Sequence, residues 1–200
     1  MPVNLQHFGR FFVIILNQNL NKLLNIIIMR FNKNVQEVLN KQVNAEFWSA
    51  YLYLSMSSYL AQKGLTGFAN WMRVQFQEET SHALKLFDYI IARGGEVKLE
   101  PIAEVETDWS SIKDIFESTY KHECKVTDMI HNCYEVALKE RDHAAANMLQ
   151  WFIDEQAEEE ENALAIIDQL KFVGDNGPAL YMLDKELATR VFVDATQAAK

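Results

Sequence analysis

Between Thr66 and Gly94 the apolar residues Phe68, Trp71, Met72, Phe76, Leu84 and Phe87 recur at helical spacing, with polar residues filling much of the space between them. Such spacing lines one side of an α-helix with side chains that need a partner surface. Thr66 stands where a cap belongs and Gly94-Gly95 where a helix stops, which predicts a helix over about 67–93. Upstream, Asn34-Val-Gln-Glu37 fits a capping box, with Asn34 covering free amides and Glu37 reaching back, so a first helix is expected over about 35–63 before Gly64. Ser111-Ile-Lys-Asp114 is a looser box opening a third helix to about 140, and Asp142 caps a fourth through about 173. After Gly174, Asn176-Gly-Pro178 reads as a turn and cap ahead of a short fifth helix over about 179–190.

Residues 94–110 hold both glycines and Pro101 and lack helical periodicity. They can extend up to about 55 Å, against about 45 Å for a 30-residue helix, so this connector can return along a whole bundle. An offset of 77 residues also aligns Asn70–Glu79 with Asn147–Gln156, and the chain reads as two related hairpins with tight turns. The expected fold is all-α: an up-down four-helix bundle with a long crossover between the second and third helices and a short fifth C-terminal helix.

Composition agrees with that pattern and narrows the partners. The 200 residues are 49% hydrophobic, enough for one well-buried core, with only 7 Gly and 3 Pro. One bundle domain is expected over 29–175, followed by the short helix and tail over 176–200. The net charge is −9, and Arg10 and Lys22 are the only charges among the first 28 residues, so the acidity belongs to the bundle. An acidic body argues against nucleic acid and suits cations. Cys124 and Cys133, nine apart on one expected helix, point to opposite faces and cannot bridge there. With no CxxC and no disulfide framework, a reducing cytoplasmic compartment is the natural one.

The run Phe11–Leu16 is too short to span a membrane, is followed closely by Asn17, Gln18, Asn19, Asn21 and Lys22, and lacks a small-residue cleavage site. No membrane partner is expected. Residues 1–28 hold five Asn and no acid, unlike everything after them; they are expected to be a disordered extension or a mis-assigned start, with Met29 as the first native residue.

The repeat carries chemistry. Glu46 is followed 33 and 36 residues later by Glu79 and His82, and Glu123 is followed 33 and 36 later by Gln156 and Glu159. Residues three apart share a helix face. Counted from the tight turns, Glu46 stands level with Glu79 and His82, and Glu123 with Gln156 and Glu159, within about one turn. Two hairpins packed about a pseudo-twofold would gather all six at mid-bundle. Burying four carboxylates together is costly unless protons or metal ions neutralise them. A divalent pair meets that need, and an oxygen-rich set with one imidazole suits iron or manganese, while zinc would bind as a redox-silent inhibitor.

A Glu from each of two helices plus Glu-x-x-His from each of the other two is the ligand pattern of ferritin-like di-iron bundles. Glu46 with Glu79-Thr-Ser-His82 conforms, whereas Gln156-Ala-Glu-Glu159 departs from the second Glu-x-x-His. From about residue 30 to 190 the chain resembles bacterial non-haem ferritins. The resemblance implies an iron-storage shell subunit with ferroxidase activity. Glu46, Glu79 and His82 would hold the first iron of a di-iron centre; Glu79, as a bridge, and Glu123 would hold the second, with Gln156 and Glu159 nearby. Glu78, Glu155 and Glu158 match a third iron position that shares Glu159. Tyr53, seven residues after Glu46, matches a redox-active tyrosine, and Trp151 a neighbouring tryptophan.

The resemblance further implies self-assembly into a hollow 24-mer shell, with the fifth helix near the fourfold axes, and Fe2+ with O2 or H2O2 as reactants. Bacterioferritins bind haem through a Met between the Glu and His of the second-helix motif; that position is Thr80 here, so no haem is expected. The plain readings are that Tyr53 and Trp151 are core aromatics, that Glu158–Glu161 is a solvated acidic face, and that His122, His131 and His143 are ordinary side chains. Other uses of the same bundle are a non-catalytic iron-binding shell subunit and a di-iron oxidase.

Overall fold

The structure is a computed structural model describing residues 31–174 and 176–197; Met29 and the 1–28 extension lie outside the described residues. Five helices follow in order: α1 (Lys33–Gln62), α2 (Thr66–Ala92), α3 (Ile112–Lys139), α4 (His143–Val173) and α5 (Gly177–Leu187), then a 3-10 turn, Ala195–Gln197. There are no strands among the described residues. α1 and α2 form one hairpin and α3 and α4 the other, α1 packs against α3, and α5 docks on α2. The expected all-α bundle with a long crossover and a short last helix is the fold observed.

Three of the expected caps are present. Ser111 Oγ accepts from the Asp114 amide, Asp142 Oδ1 from the Ala145 amide and Asn176 Oδ1 from the Ala179 amide, each at 3.1 Å. Two others differ. The cap of α1 is Asn32, whose Oδ1 accepts from the amides of Asn34 and Val35 at 2.8 and 3.3 Å. Asn34 sits inside the first turn, and its side-chain amide donates to Glu140 Oε1 at 2.7 Å, a long-range acceptor that local spacing does not show. Glu37 pairs with Lys41 instead of reaching back.

Thr66 does not cap α2. Leu65 holds the cap position without a side-chain bond, and the amides of Gly67 and Phe68 donate instead to Asp184 Oδ1 of α5, at 2.7 and 3.1 Å. A Cβ on Gly67 would lie 1.6 Å from the Asp184 carbonyl oxygen, so only glycine admits α5 at this distance. The fifth helix thus caps the second.

The crossover is strapped to α1. Asn40 Nδ2 donates to the Glu96 carbonyl at 3.0 Å and its Oδ1 accepts from the Lys98 amide at 2.6 Å; Asn44 does the same with Lys98 and Glu100 at 2.8 and 2.7 Å. Gln36 Oε1 accepts from the Glu96 amide at 3.1 Å. Spaced by four, these three lie on one face of α1 and satisfy backbone groups that an irregular segment would otherwise leave open. Farther along, Ser55 and the Tyr59 hydroxyl donate to the carbonyls of Glu106 and Trp109.

The apolar interior is divided into two blocks. One holds Met56, Leu60, Phe68, Met72, Phe116 and Ile167; the other holds Leu39, Val43, Leu86, Ile90, Ile130 and Phe152. On every long helix the stretch between the two blocks carries buried polar residues: Glu46 and Ser49 on α1, Gln75, Glu79 and His82 on α2, Thr119 and Glu123 on α3, Gln156 and Glu159 on α4. The bundle therefore has a polar layer across its middle.

Candidate metal centre

The polar layer follows from the 33- and 36-residue spacings, because each tight hairpin returns its second helix at the level its first has left. Glu46, Glu79 and His82 each offer a ligand atom, and these atoms lie within 4.8 Å of one another. His82 Nδ1 is 3.6 Å from Glu79 Oε2. All three residues are at most 2% exposed, and Glu123 is wholly buried. Glu123 accepts from the Tyr53 hydroxyl and, at 3.2 Å, from Gln156 Nε2. Glu159 Oε2 accepts from Gln75 Nε2 at 2.8 Å, and Glu46 Oε1 from Gln42 Nε2 at 3.0 Å.

Several buried oxygens have no partner. Both oxygens of Glu79 and Oε2 of Glu46 make no hydrogen bond, and neither do the side-chain oxygens of Gln42 and Gln75. A buried unsatisfied carboxylate is expensive, and a native fold that keeps one has reason to bind a cation or a proton there. The electrostatics agree. Burial raises the carboxyl of Glu79 well above its ordinary range, and the charges of Glu123, Glu46 and Glu159 raise it further. Burial pushes Glu123 up to about 7, raises Glu46, and raises Glu159 well above its usual value. It pushes His82 down to about 4, which keeps the imidazole neutral and its lone pair available. Carboxylates that resist carrying charge unaided, beside a neutral imidazole, form a donor set suited to divalent cations.

The other expected residues fall around this set. Tyr53 is fully buried, and burial followed by the Glu123 charge raises its hydroxyl well above the usual value. Trp151 is half-buried, its ring centroid 5.5 Å from that of His82, with Lys85 Nζ 4.2 Å above its face. Glu155 Oε1 is 3.8 Å from His82 Nε2. Glu78 lies among the charges of Glu155 and Glu158, but its Oε2 is paired with Arg190 at 2.6 Å. Glu158 itself is exposed, but Glu159 beside it is buried because it turns into the polar layer, so Glu158–Glu161 is not the uniformly solvated face that the plain reading expects.

Among the histidines, His131 and His143 are exposed, but His122 is not an ordinary surface side chain. Its Nε2 is 2.8 Å from Ser49 Oγ, its ring lies beside Trp48 and Tyr53 at 5.3 and 6.1 Å, and burial pushes it down to about 4. Its contacts are on another helix, so spacing along the chain carries no trace of them. Gln42 and Gln75 did leave a signal: each stands four residues before a ligand-type Glu. Among the described residues no helix is long and apolar enough to cross a membrane.

Comparison with known proteins agrees with this geometry. Residues 36–173 match the ferritin-like domain family. The chain is 40% identical over 159 residues to a bacterial non-heme ferritin of Bacteroides fragilis, covering 80% of this chain and 99% of that protein. It is 37% identical over 161 residues to a bacterial non-heme ferritin of Staphylococcus aureus, covering 80% and 97%. Among solved structures, an open pore ferritin from the archaeon Archaeoglobus fulgidus superimposes with a TM-score of 0.79 at 50% identity, covering 80% of this chain and 98% of that one. The family match over residues 36–173, with relatives matched along nearly their whole length, places the chain in the ferritin family of iron-storage proteins.

Proposed function

We propose that the protein is a ferroxidase as well as an iron store. The observation that supports this most is the set of unpartnered buried oxygens on Glu79 and Glu46 facing the neutral imidazole of His82. Iron is the substrate. Glu46, Glu79 and His82 take one Fe(II), Glu79 spans to a second, and Glu123 and Glu159 complete that second position, with Gln156 orienting Glu123. Each Fe(II) gives one electron to O2, which with two protons leaves as H2O2; electrons from a further pair of Fe(II) carry the reduction on to water. The carboxylates shed their protons as the cations arrive, so the protein supplies placement and charge neutralisation. Tyr53, bonded to Glu123, is positioned to pass an electron or proton to the second site.

On this reading Glu78, Glu155 and Glu158 form an outlying metal position, haem is absent, and the assembly is a hollow 24-mer in the cytoplasm that receives the Fe(III) as a hydrated oxide. The test is aerobic oxidation at two Fe(II) per subunit, comparing the wild type with Glu79→Ala/His82→Ala in one buffer. Fast oxidation that falls to the buffer rate in the variant supports the reading; equal slow rates in both refute it.

A further inference from the structure

The chain does not leave the bundle after α5. Residues 188–197 run back along α2: Asn70 Nδ2 donates to the Arg190 carbonyl at 2.9 Å, Lys85 Nζ donates to the Thr196 carbonyl at 3.4 Å, and the 3-10 turn packs on the same helix. Between these anchors the Arg190 guanidinium lies 4.5 Å from the centre of the Trp71 ring and donates through Nη2 to Glu78 Oε2 at 2.6 Å. Glu78 is the residue before Glu79, and Glu155 and Glu158 act on the same carboxyl. A positive group carried by the tail therefore sits among the acids of the outlying metal position.

We propose that Arg190 is a tethered cation that competes with metal for Glu78, so that the C-terminal segment limits filling of the outlying position while leaving Glu46, Glu79 and His82 open. The inference rests on the metal-site reading above. A guanidinium does not lose its proton in a protein, so Arg190 keeps its positive charge beside Glu78 at every working pH. Stacking on Trp71 and the Asn70 anchor hold it in place beforehand, so little ordering is lost when the pair forms. Arg190 and Glu78 are only 21% and 19% exposed, so the pair is less screened than an ordinary surface bridge. The docked tail and a metal ion on Glu78 exclude each other.

Anaerobic calorimetric titration of the assembled protein with Fe(II), repeated with Zn(II), tests this in wild type, Arg190→Gln and Arg190→Gln/Glu78→Gln. Arg190→Met, which keeps an aliphatic stem against Trp71, is the second variant. The expected result is two tight sites in every form and a third that tightens about ten- to hundredfold when Arg190 is replaced. The gain should vanish with Glu78→Gln. Hydrogen exchange at residues 191–197 should also quicken in the Arg190 variants and in wild type at saturating metal. A third site no tighter without Arg190, or a gain that survives Glu78→Gln, overturns the proposal. Absence of the two tight sites in wild type would sink the ferroxidase reading instead, and the Glu78-dependent difference between Arg190 variants would still be measured.

Discussion

Gln75 of α2 donates to Glu159 of α4 across 2.8 Å, a buried bond that ties one hairpin to the other through the site. The Oε1 of Gln75 itself is left open, and among the described residues Glu159 accepts from no other donor. Replacing Gln75 by Leu removes the donor and frees Glu159 to rotate. The expected effect is about a ten- to hundredfold loss in affinity at the second metal position, with the first position little changed, read by anaerobic Fe(II) titration. A uniform loss at both positions would mean the substitution disturbs packing and not orientation.

Tyr53→Phe keeps the buried ring and removes the donor to Glu123. Melting should change by no more than about 1–3 kcal/mol, the cost of one unsatisfied buried acceptor. Oxidation should slow more than metal binding weakens if the hydroxyl passes an electron or proton. Stopped-flow oxidation and titration on the same sample separate the two, and equal losses in both would leave Tyr53 as a positioning group only.

The site also sets a pH dependence. Buried Glu123 titrates at about 7 and Glu79 and Glu159 stand well above their ordinary value, whereas unfolded Glu titrates near about 4.3. The metal-free fold binds more protons than the unfolded chain across that interval, so its stability falls as pH rises through it. His82 and His122, pushed down to about 4, act in the opposite sense and cost stability only as pH falls below about 6.5. Chelated protein should therefore melt lower at about pH 8 than at about pH 6.5, and Zn(II) should raise the melting temperature more at the higher pH. A chelated protein that is equally stable at both would show that these carboxylates do not share a dry site.

Asp184 is the lock on the fifth helix. Asp184→Ala leaves the amides of Gly67 and Phe68 without their acceptor and should cost about 1–2 kcal/mol, concentrated in α5. Hydrogen exchange across 177–187 should rise well before that of α3 or α4. Gly67→Ala should detach α5 more completely, because the new methyl meets the Asp184 backbone.

The parts of the fold that were legible are those written in local periods: helix stripes, the caps at Ser111, Asp142 and Asn176, and the repeat that levels Glu46 with Glu79 and Glu123 with Gln156. What escaped depended on partners far along the chain. Glu140 draws Asn34 out of a capping role, and Asp184 replaces Thr66 as the cap of α2, over separations of 106 and 117 residues. His122 reads as ordinary until Ser49 and Trp48 close around it. Glu78, Glu155 and Glu158 came from the family resemblance alone, and nothing local shows that Arg190 is bonded to Glu78.

The division of the interior into two apolar blocks has a consequence for how this chain can vary. Each block fixes the rotation of all four long helices at its own end, and the polar layer inherits its geometry from both. Deleting one residue inside that layer would turn everything beyond it by about 100° and present the wrong face to the next block. The count of residues between the blocks is therefore held more tightly than their identity: side chains there can be exchanged one at a time to retune the chemistry, but insertions and deletions are confined to the turns, the crossover and the tail.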